Sequence, residues 1–373
     1  LLTVAIIGGG LQGIEISYLA RRAGFHTLLI DRKNAPPARG LADDFIKADL
    51  SNITNFLLDK LQKTDIIFPA LENDLALAEL NSHRSSLPPL VLDYQSYQIS
   101  SSKDLSRKFF NRYGLPCARS WPEAEFPLIL KPNKGSGSQG VKIIRDVEEL
   151  DNIAAAVRKN SVLEEYLTGP AYSLEVIGYQ GNYYPLAVTE LKFGPDYDCH
   201  QVLAGDFIGQ ELIAEFNRLG LEVAELLDLQ GIMDLEVIAT GEGLKILEID
   251  VRFPSQTPTA VYLAQGINMV KMLVELFLQE KSLEEQKTCS KAALYEQVLV
   301  TDGGYAFSGE HIMTEAQQLD LKDGFWEADA AITDYDKQKN NWRAILHFTG
   351  ENRDELKIKR EKFQEKLTKH LKC

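Results

Sequence analysis

The stretches Gly231-Ile-Met-Asp-Leu-Glu-Val-Ile238 and Leu244-Lys-Ile-Leu-Glu-Ile-Asp-Val251, joined through Gly-Glu-Gly, are two alternating runs around a turn signal. Such a pattern specifies a β-hairpin. Side chains alternate across a strand, so Asp234, Glu236 and Ile238 share one face, and Leu244, Ile246, Glu248 and Asp250 share one face of the partner. A three-residue turn at Gly241, Glu242 and Gly243 sets Glu236 opposite Glu248 and Asp234 opposite Asp250. Like charges directly across a sheet repel, so a cation is expected among them. Divalent ions with oxygen ligands fit best, above all Mg²⁺ shared between carboxylates and substrate phosphates. Arg252, two residues beyond Asp250, falls on the same face and is placed to stabilise a transferring phosphoryl group. A solvated acidic face is the competing explanation, but such faces mix in lysines, and Lys245 falls on the other side.

Upstream of the hairpin lie further groups suited to a nucleotide. A helix is expected from Lys103 to Tyr113, stopped by Gly114. Lys131 ends the apolar run Leu128-Ile-Leu-Lys and is followed by Pro-Asn-Lys-Gly-Ser-Gly-Ser-Gln-Gly140. Backbone N–H groups and hydroxyls of such a loop can close over phosphates while the strand lysine neutralises them. The loop is not a Walker A sequence, and a plain glycine-serine turn is its structural alternative. Val162-Leu-Glu-Glu-Tyr-Leu167 supplies a strand end whose backbone can meet an adenine edge, and Glu175 follows within Tyr172-Ser-Leu-Glu-Val176.

The chain begins with apolar runs at 4–7, 27–30, 45–48, 66–68 and 90–92, alternating with helical patterns near 11–23, 52–62 and 74–82. That alternation predicts a parallel sheet with covering helices. Between the first run and the first helix stands Gly-Gly-Gly-Leu-Gln-Gly, residues 8–13, with Asp31 closing the next strand pattern. Formally this is a dinucleotide fingerprint. Beyond residue 100 strands dominate to about 191, a long helix is expected near 208–227, and the segment from about 288 reads as a smaller module.

Composition limits the partners. With 45% hydrophobic residues and a formal net charge of -14, the 373-residue chain is expected to fold in several modules and to have no general attraction for nucleic acid or anionic membrane. The lysine-bearing tail at 352–372 repeats Leu356, Phe363, Leu367 and Leu371 at helical spacing, so it reads as a surface helix with one buried stripe. Cys117, Cys199, Cys289 and Cys373 form no CxxC pair, which fits a reducing cytoplasm. No run approaches the ~20 apolar residues of a membrane span.

The order of these features resembles the ATP-grasp superfamily of carboxylate-amine ligases over residues 1–285. The resemblance implies an α/β and α+β architecture: a Rossmann-like pre-ATP-grasp domain at 1–95, a two-lobed ATP-grasp domain at 96–285, and a small C-terminal α/β module at 286–373. It further implies that a carboxylate is phosphorylated by ATP to an acyl phosphate, from which an amine displaces phosphate. By motif, Lys103 and Lys131 correspond to the phosphate-contacting lysines, and Ser136, Gly137, Ser138, Gln139 and Gly140 to the phosphate lid. Glu164, Glu165, Tyr166, Leu167 and Glu175 fall in the nucleotide-binding segment, with the backbones of Glu165 and Leu167 toward adenine. Glu236, Glu248 and Asp250 correspond to the Mg²⁺ ligands, two ions being expected, and Arg252 to the phosphoryl-steadying residue. Where many members carry a ribose-binding glutamate, this sequence has Ala171, so that contact must come from elsewhere.

Tyr197-Asp-Cys-His200, Gly231-Ile-Met-Asp234 and Glu248-Ile-Asp-Val-Arg-Phe-Pro-Ser-Gln-Thr-Pro-Thr259 are similar to strings of the pyrrolysine-biosynthesis ligases of this superfamily. That likeness implies L-lysine as the amine and 3-methyl-D-ornithine as the carboxylate. Glu72 at the end of the fourth apolar run, Asp234, Ser255 and Gln256 are then the substrate-binding candidates, although Glu72 serves equally as a helix-start carboxylate. The glycine loop is expected to receive a substrate carboxylate on its N–H groups, with Leu11 and Gln12 against the lysine. A second adenine nucleotide across the loop and Asp31 is the alternative. A ligase of dipeptide or carboxylating type would share all the nucleotide chemistry. An NAD-dependent dehydrogenase would explain residues 1–31 alone, and a non-catalytic nucleotide-binding scaffold would leave Arg252 and the acids without purpose.

Overall fold

The computed structural model describes residues 1–135, 137–279, 291–313 and 315–371. The first sheet is parallel, in the spatial order Asp44–Lys47, His26–Asp31, Thr3–Ile7, Ile66–Pro69. Helices Leu11–Arg22, Asn55–Leu61 and Asp74–Ser82 connect and cover it. Val4, Ile6, Ile66 and Phe68 are fully buried on one face and Ala5, Ile7, Ile30 and Ile67 on the other, so these strands read as continuous apolar runs. The run at 90–92 adds only an isolated parallel bridge, Ile67 to Leu90, because Pro88 and Pro89 before it cannot donate to a ladder.

Glycine is required at both ends of the first turn. Gly8 has φ +106°, and a Cβ there would lie 2.5 Å from the Ala70 carbonyl oxygen, while one on Gly13 would lie 2.2 Å from Gly8 O. The first helix therefore packs against the strand end without side chains between them. Asp31 accepts from Gly9 N–H at 2.7 Å through one oxygen and from Lys33 N–H at 2.7 Å through the other. Its carboxylate braces the loop.

A small antiparallel sheet, Lys142–Ile144, Leu128–Pro132, Ser161–Glu165, encloses Leu128, Leu130, Ile144 and Leu150. The helix Lys103–Tyr113 leads into it. Ser102 Oγ accepts from Leu105 N–H at 3.4 Å, and Gly114 ends the helix at φ +67°. An N-cap of this kind is worth about 1 kcal/mol. Here it also fixes Lys103 at the first helical position, with its N–H donated to Asn133 O at 3.0 Å.

The third sheet has ten strands, running from Gly243–Asp250 through Gly231–Thr240, Ala171–Tyr179, Asn182–Phe193 and Cys199–Ala204 into Ala292–Thr301, Trp342–Gly350, Ala330–Thr333 and Asp320–Asp323; Gly304–Ser308 also pairs Ala292–Thr301. The expected boundary at 285 falls outside the described residues. The strand that follows pairs directly with Cys199–Ala204, so the C-terminal segment shares its sheet with the central lobe. The last helix, Arg353–His370, buries Leu356, Phe363 and Leu367, as the stripe in the sequence suggested.

Hairpin register differs from expectation in an instructive way. Thr240 pairs Gly243, so the loop is two residues, and the register then shifts between Glu236 and Val237. Val237 pairs Ile246 and Glu236 pairs Glu248, which leaves Leu247 as a bulge. The bulge restores the acid pairs that a longer turn would have produced. It also turns the strand over: Leu244 and Ile246 join Leu235 and Val237 in the core below the sheet, whereas Lys245 opposes Ile238 on the acid side. The expectation that Leu244 and Ile246 share a face with Glu248, and that Lys245 avoids it, is thereby corrected.

Candidate active site

A cleft of 540 Å³ lies between the small sheet and the acid face of the large one. Lys103, Lys131, Gly137, Ser138, Gln139, Glu164, Glu165, Tyr166, Leu167, Ala171, Asp234, Glu236, Glu248, Asp250, Arg252, Ser255 and Gln256 all line it. Ser136 lies outside the described residues. Gly140 closes the loop at φ +77° over Pro132, and Glu175 is buried behind the floor.

The acids form two rows across three strands. Asp250, Asp234 and Glu175 are successive cross-strand neighbours, as are Glu248, Glu236 and Ser173. Burial, then the neighbouring Glu248 and Asp250, push Glu236 up to about 8. Burial raises Asp234 well above the carboxylate range, with Asp250 and Glu236 adding to it. Asp250 is raised to about 7 by burial, against the pull of Arg252. Arg252 is held charged in spite of its burial, because Asp250, Glu72 and Asp234 surround it.

These acids are short of positive charge, and two protein cations partly answer them. Lys103 Nζ sits 3.0 Å from Glu248 Oε1 and 3.0 Å from Gly135 O, tying helix, loop and hairpin together. Arg252 donates to Asp250 Oδ2 at 2.6 Å and, through its other Nη, to Glu72. Among the described residues no three side chains converge as a closed cation shell in this arrangement. Glu248 and Asp250 are instead turned toward Lys103 and Arg252. The donor set itself, made of carboxyl oxygens alone, suits a hard divalent cation.

Lys131 is buried and bonded to Glu164 at 2.6 Å. Burial brings its ammonium down to about 8, with Arg107 and Lys103 pulling the same way. Glu164 is simultaneously paired with Arg107. Its carboxylate thus orients Lys131, a role that the adenine assignment did not anticipate. Glu165 is held by Arg119 through two bonds of 3.1 Å, and its N–H donates to Arg119 O at 2.8 Å. The glycine-serine loop leans on the 194–198 turn, where Ser138 Oγ donates to Tyr197 O at 2.7 Å.

A second cleft of 420 Å³ opens over the first sheet, lined by Gly10, Leu11, Gln12, Asp31, Asp49, Glu72 and Asn73. Ser255 and Glu310 line both clefts. Glu72 does not cap the following helix; Asn73 does, accepting from Ala76 N–H at 3.0 Å. That frees Glu72 for the cleft and for Arg252. Glu310 was not singled out in the sequence. It starts the 3-10 turn Glu310–Met313, accepts from Ser255 Oγ at 3.1 Å, and is raised by burial and by Asp198. No local motif marks it; only the pairing of Gly304–Ser308 with Ala292–Thr301 delivers it.

Residues 100–256 match the model of the ATP-grasp domain. Over 97% of its length, and 94% of the relative's, the chain is 33% identical to the 3-methyl-D-ornithine–L-lysine ligase of Methanosarcina mazei. It belongs to that family of ATP-grasp ligases. Among solved structures, the N5-carboxyaminoimidazole synthetase of Staphylococcus aureus complexed with ADP superposes with a TM-score of 0.72 at 18% identity, over 97% of this chain and 96% of that one. The L-amino acid ligase of Bacillus licheniformis gives 0.68 at 17%, over 99% and 98%. Those likenesses show the fold. The ligase is an ATP-dependent, amide-forming enzyme, and a dehydrogenase reading of its glycine loop is set aside. Among the described residues no single helix is long and apolar enough to cross a membrane.

Glu175 provides a stability test. It is fully buried, one oxygen has no partner among the described residues, and burial raises its pKa to about 7 from 4.5. The native state therefore holds a proton that the unfolded chain releases. Stability from this site is full below about 4.5 and is lost as pH rises to about 7, by at most about 3 kcal/mol. Glu175→Gln in the metal-free protein should match the parent's melting temperature at pH 4.5 and exceed it at pH 8. A difference independent of pH would contradict the assignment.

Proposed function

We propose that the ligase phosphorylates the carboxylate of 3-methyl-D-ornithine and transfers the acyl group to the ε-amine of L-lysine. The observation that carries this reading is the pair of clefts meeting at Ser255 and Glu310, with Arg252 of the first bonded to Glu72 of the second. One has the lysines and acids suited to ATP and a carboxylate, the other a glycine-lined helix N-terminus and Glu72 suited to an amino acid. The named activity of the Methanosarcina mazei relative supports the same substrates.

In this reading Lys103, Lys131 and the N–H groups of residues 137–140 hold the phosphates. The backbones of Glu165 and Leu167 face adenine, while the Glu164 carboxylate keeps Lys131 in place. Glu236, Glu248 and Asp250 would hold Mg²⁺, with two ions expected from the family resemblance; when bound, Mg²⁺ would supply Lewis-acid neutralisation of phosphoryl charge. The donor lies along Asp234, Ser255 and Gln256, its carboxylate oxygen directed at the γ-phosphorus. Arg252 stabilises charge on the equatorial phosphoryl oxygens. As the P–O bond to ADP breaks, the new acyl phosphate provides a leaving group that a free carboxylate lacks.

The lysine arrives from the second cleft, its carboxylate on the Gly8–Gly13 loop and its stem along Leu11 and Gln12. A free ε-ammonium has a pKa near 10.4 and must lose a proton before its lone pair can attack. Glu72 and Glu310 stand at the junction, where either can receive that proton. The amine nitrogen bonds to the acyl carbon, and phosphate leaves with the electron pair of the broken C–O bond. The cysteines Cys117 and Cys199 are free, consistent with work in a reducing cytoplasm.

The test is the product. Purified enzyme with Mg-ATP, L-lysine and 3-methyl-D-ornithine should release phosphate only when both amino acids are present and yield the mass of their isopeptide. Phosphate release that ignores lysine, or a product built on another acceptor, would return the protein to the dipeptide or carboxylating type.

A further inference from the structure

Behind the junction of the two clefts lies a carboxylate that the chemistry above does not use. Glu15, in the first helix, is completely buried, 0% exposed. Its Oε2 accepts from Thr259 N–H at 2.9 Å and Thr259 Oγ1 at 2.5 Å, a contact spanning 244 residues of sequence. Thr259 is the third residue of the helix Thr257–Gln265, whose own cap, Gln256, makes no side-chain capping bond. Glu15 thus caps this helix from another element, its carboxyl oxygen accepting one of the N–H groups that a helix start leaves unpaired.

Both helices begin at substrate clefts. One turn before Glu15, Leu11 and Gln12 line the second cleft; one turn before Thr259, Ser255 and Gln256 line the first. The elbow between Arg252 and Thr257 carries Gln256 at φ +72° and ψ -53°, a conformation that non-glycine residues rarely hold without external constraint. The bond from Thr257 N–H to Ser255 O, 2.8 Å, is local to the turn. The cap from Glu15 fixes the helix to which the turn must join. Further along the first helix Leu19 O accepts from Asn268 Nδ2 at 2.8 Å, so the first helix is also tied to the chain just beyond the helix Thr257–Gln265. The Tyr295 hydroxyl is a further buried neighbour of Glu15.

The geometry points to Glu15 as a positioning residue that holds the Ser255–Thr257 elbow in its constrained form against the helix of the glycine loop, so that the acceptor cleft and the acyl-transfer site keep a fixed relative placement. This inference rests on the two-cleft reading of the reaction. Misplacement of reacting groups by about 1 Å costs on the order of 100-fold in rate. Glu15→Ala should therefore lower kcat about 10- to 100-fold and raise KM for both amino acids, with KM for Mg-ATP unchanged. Glu15→Gln, which keeps an acceptor for Thr259 N–H, should recover most of the rate. A crystal structure of Glu15→Ala should show Gln256 relaxed to negative φ. Thr259→Val, which removes the hydroxyl bond from the other side, should show the same split in milder form and covers the case in which the Glu15 variants do not fold.

Parent-like kcat and amino-acid KM values with Gln256 still at positive φ would overturn the inference. So would a loss shared equally by the ATP and amino-acid parameters, which marks a purely structural residue. If the parent enzyme fails to use these two amino acids, the substrate reading fails on its own, and the φ of Gln256 in the variant still decides the role of Glu15.

Discussion

Glu248→Gln is expected to lower kcat about 100- to 1,000-fold while the protein still folds and melts near the parent temperature. Gln occupies nearly the same volume and still offers an oxygen to Lys103, so the link from helix to hairpin survives in weaker form. What it removes is charge. Glu248 is a principal neighbour raising Glu236, and it opposes the loss of charge on Lys131. Without it Glu236 should ionise more readily, which favours folding, while the site loses one anionic oxygen pair for a divalent cation. The expected signature is a strong increase in the Mg²⁺ concentration needed for half-maximal turnover, at unchanged melting temperature. Titrating Mg²⁺ at saturating ATP in parent and variant measures it. If turnover and Mg²⁺ dependence both match the parent, Glu248 is not a ligand.

How far this site was legible depends on the length scale of the interaction concerned. The opposition of Glu236 to Glu248 and Asp234 to Asp250 was readable because alternation along a strand is a local rule. It emerged correctly even though the turn is two residues, because the Leu247 bulge adds back the missing residue. A bulge leaves no distinctive residue type here, so the inversion of Leu244, Lys245 and Ile246 was invisible. Lys131 was visible as the end of an apolar run. Its bond to Glu164, and the pairing of Glu164 with Arg107, needed the antiparallel alignment of Leu128–Pro132 with Ser161–Glu165. Glu310 and Glu15 were illegible for a stronger reason. Each is an ordinary glutamate in its own segment, made exceptional by partners 55 and 244 residues away. The loop at 8–13 was readable as a tight glycine turn from strand to helix, but not the fate of Asp31, whose carboxylate accepts from Gly9 N–H and Lys33 N–H.

Arg252→Lys should prove nearly as damaging as Arg252→Met, which separates geometry from charge. The guanidinium is planar and forked, so that one Nη meets Asp250 while the other meets Glu72, joining the acid hairpin to the edge of the first sheet. An ammonium presents a single point of charge and cannot span both. In Arg252→Met, Asp250, Glu72 and the neighbouring Asp234 lose the cation that offsets them. Breaking a buried pair in this way costs about 3 to 5 kcal/mol when the remaining charge stays buried. Asp250 already sits near 7, so part of that cost is relieved by protonation, and the Met variant should be least stable above pH 7. Arg252→Lys should keep its stability across that range. Both should lose about 100-fold or more in kcat, since the donors we propose for the phosphoryl oxygens are gone or displaced. Binding of Mg-ADP should persist, because Lys103, Lys131 and the glycine-serine loop are untouched. Stopped-flow turnover beside calorimetric ADP binding distinguishes these effects; a Lys variant with near-parent kcat would show that charge alone suffices at this position.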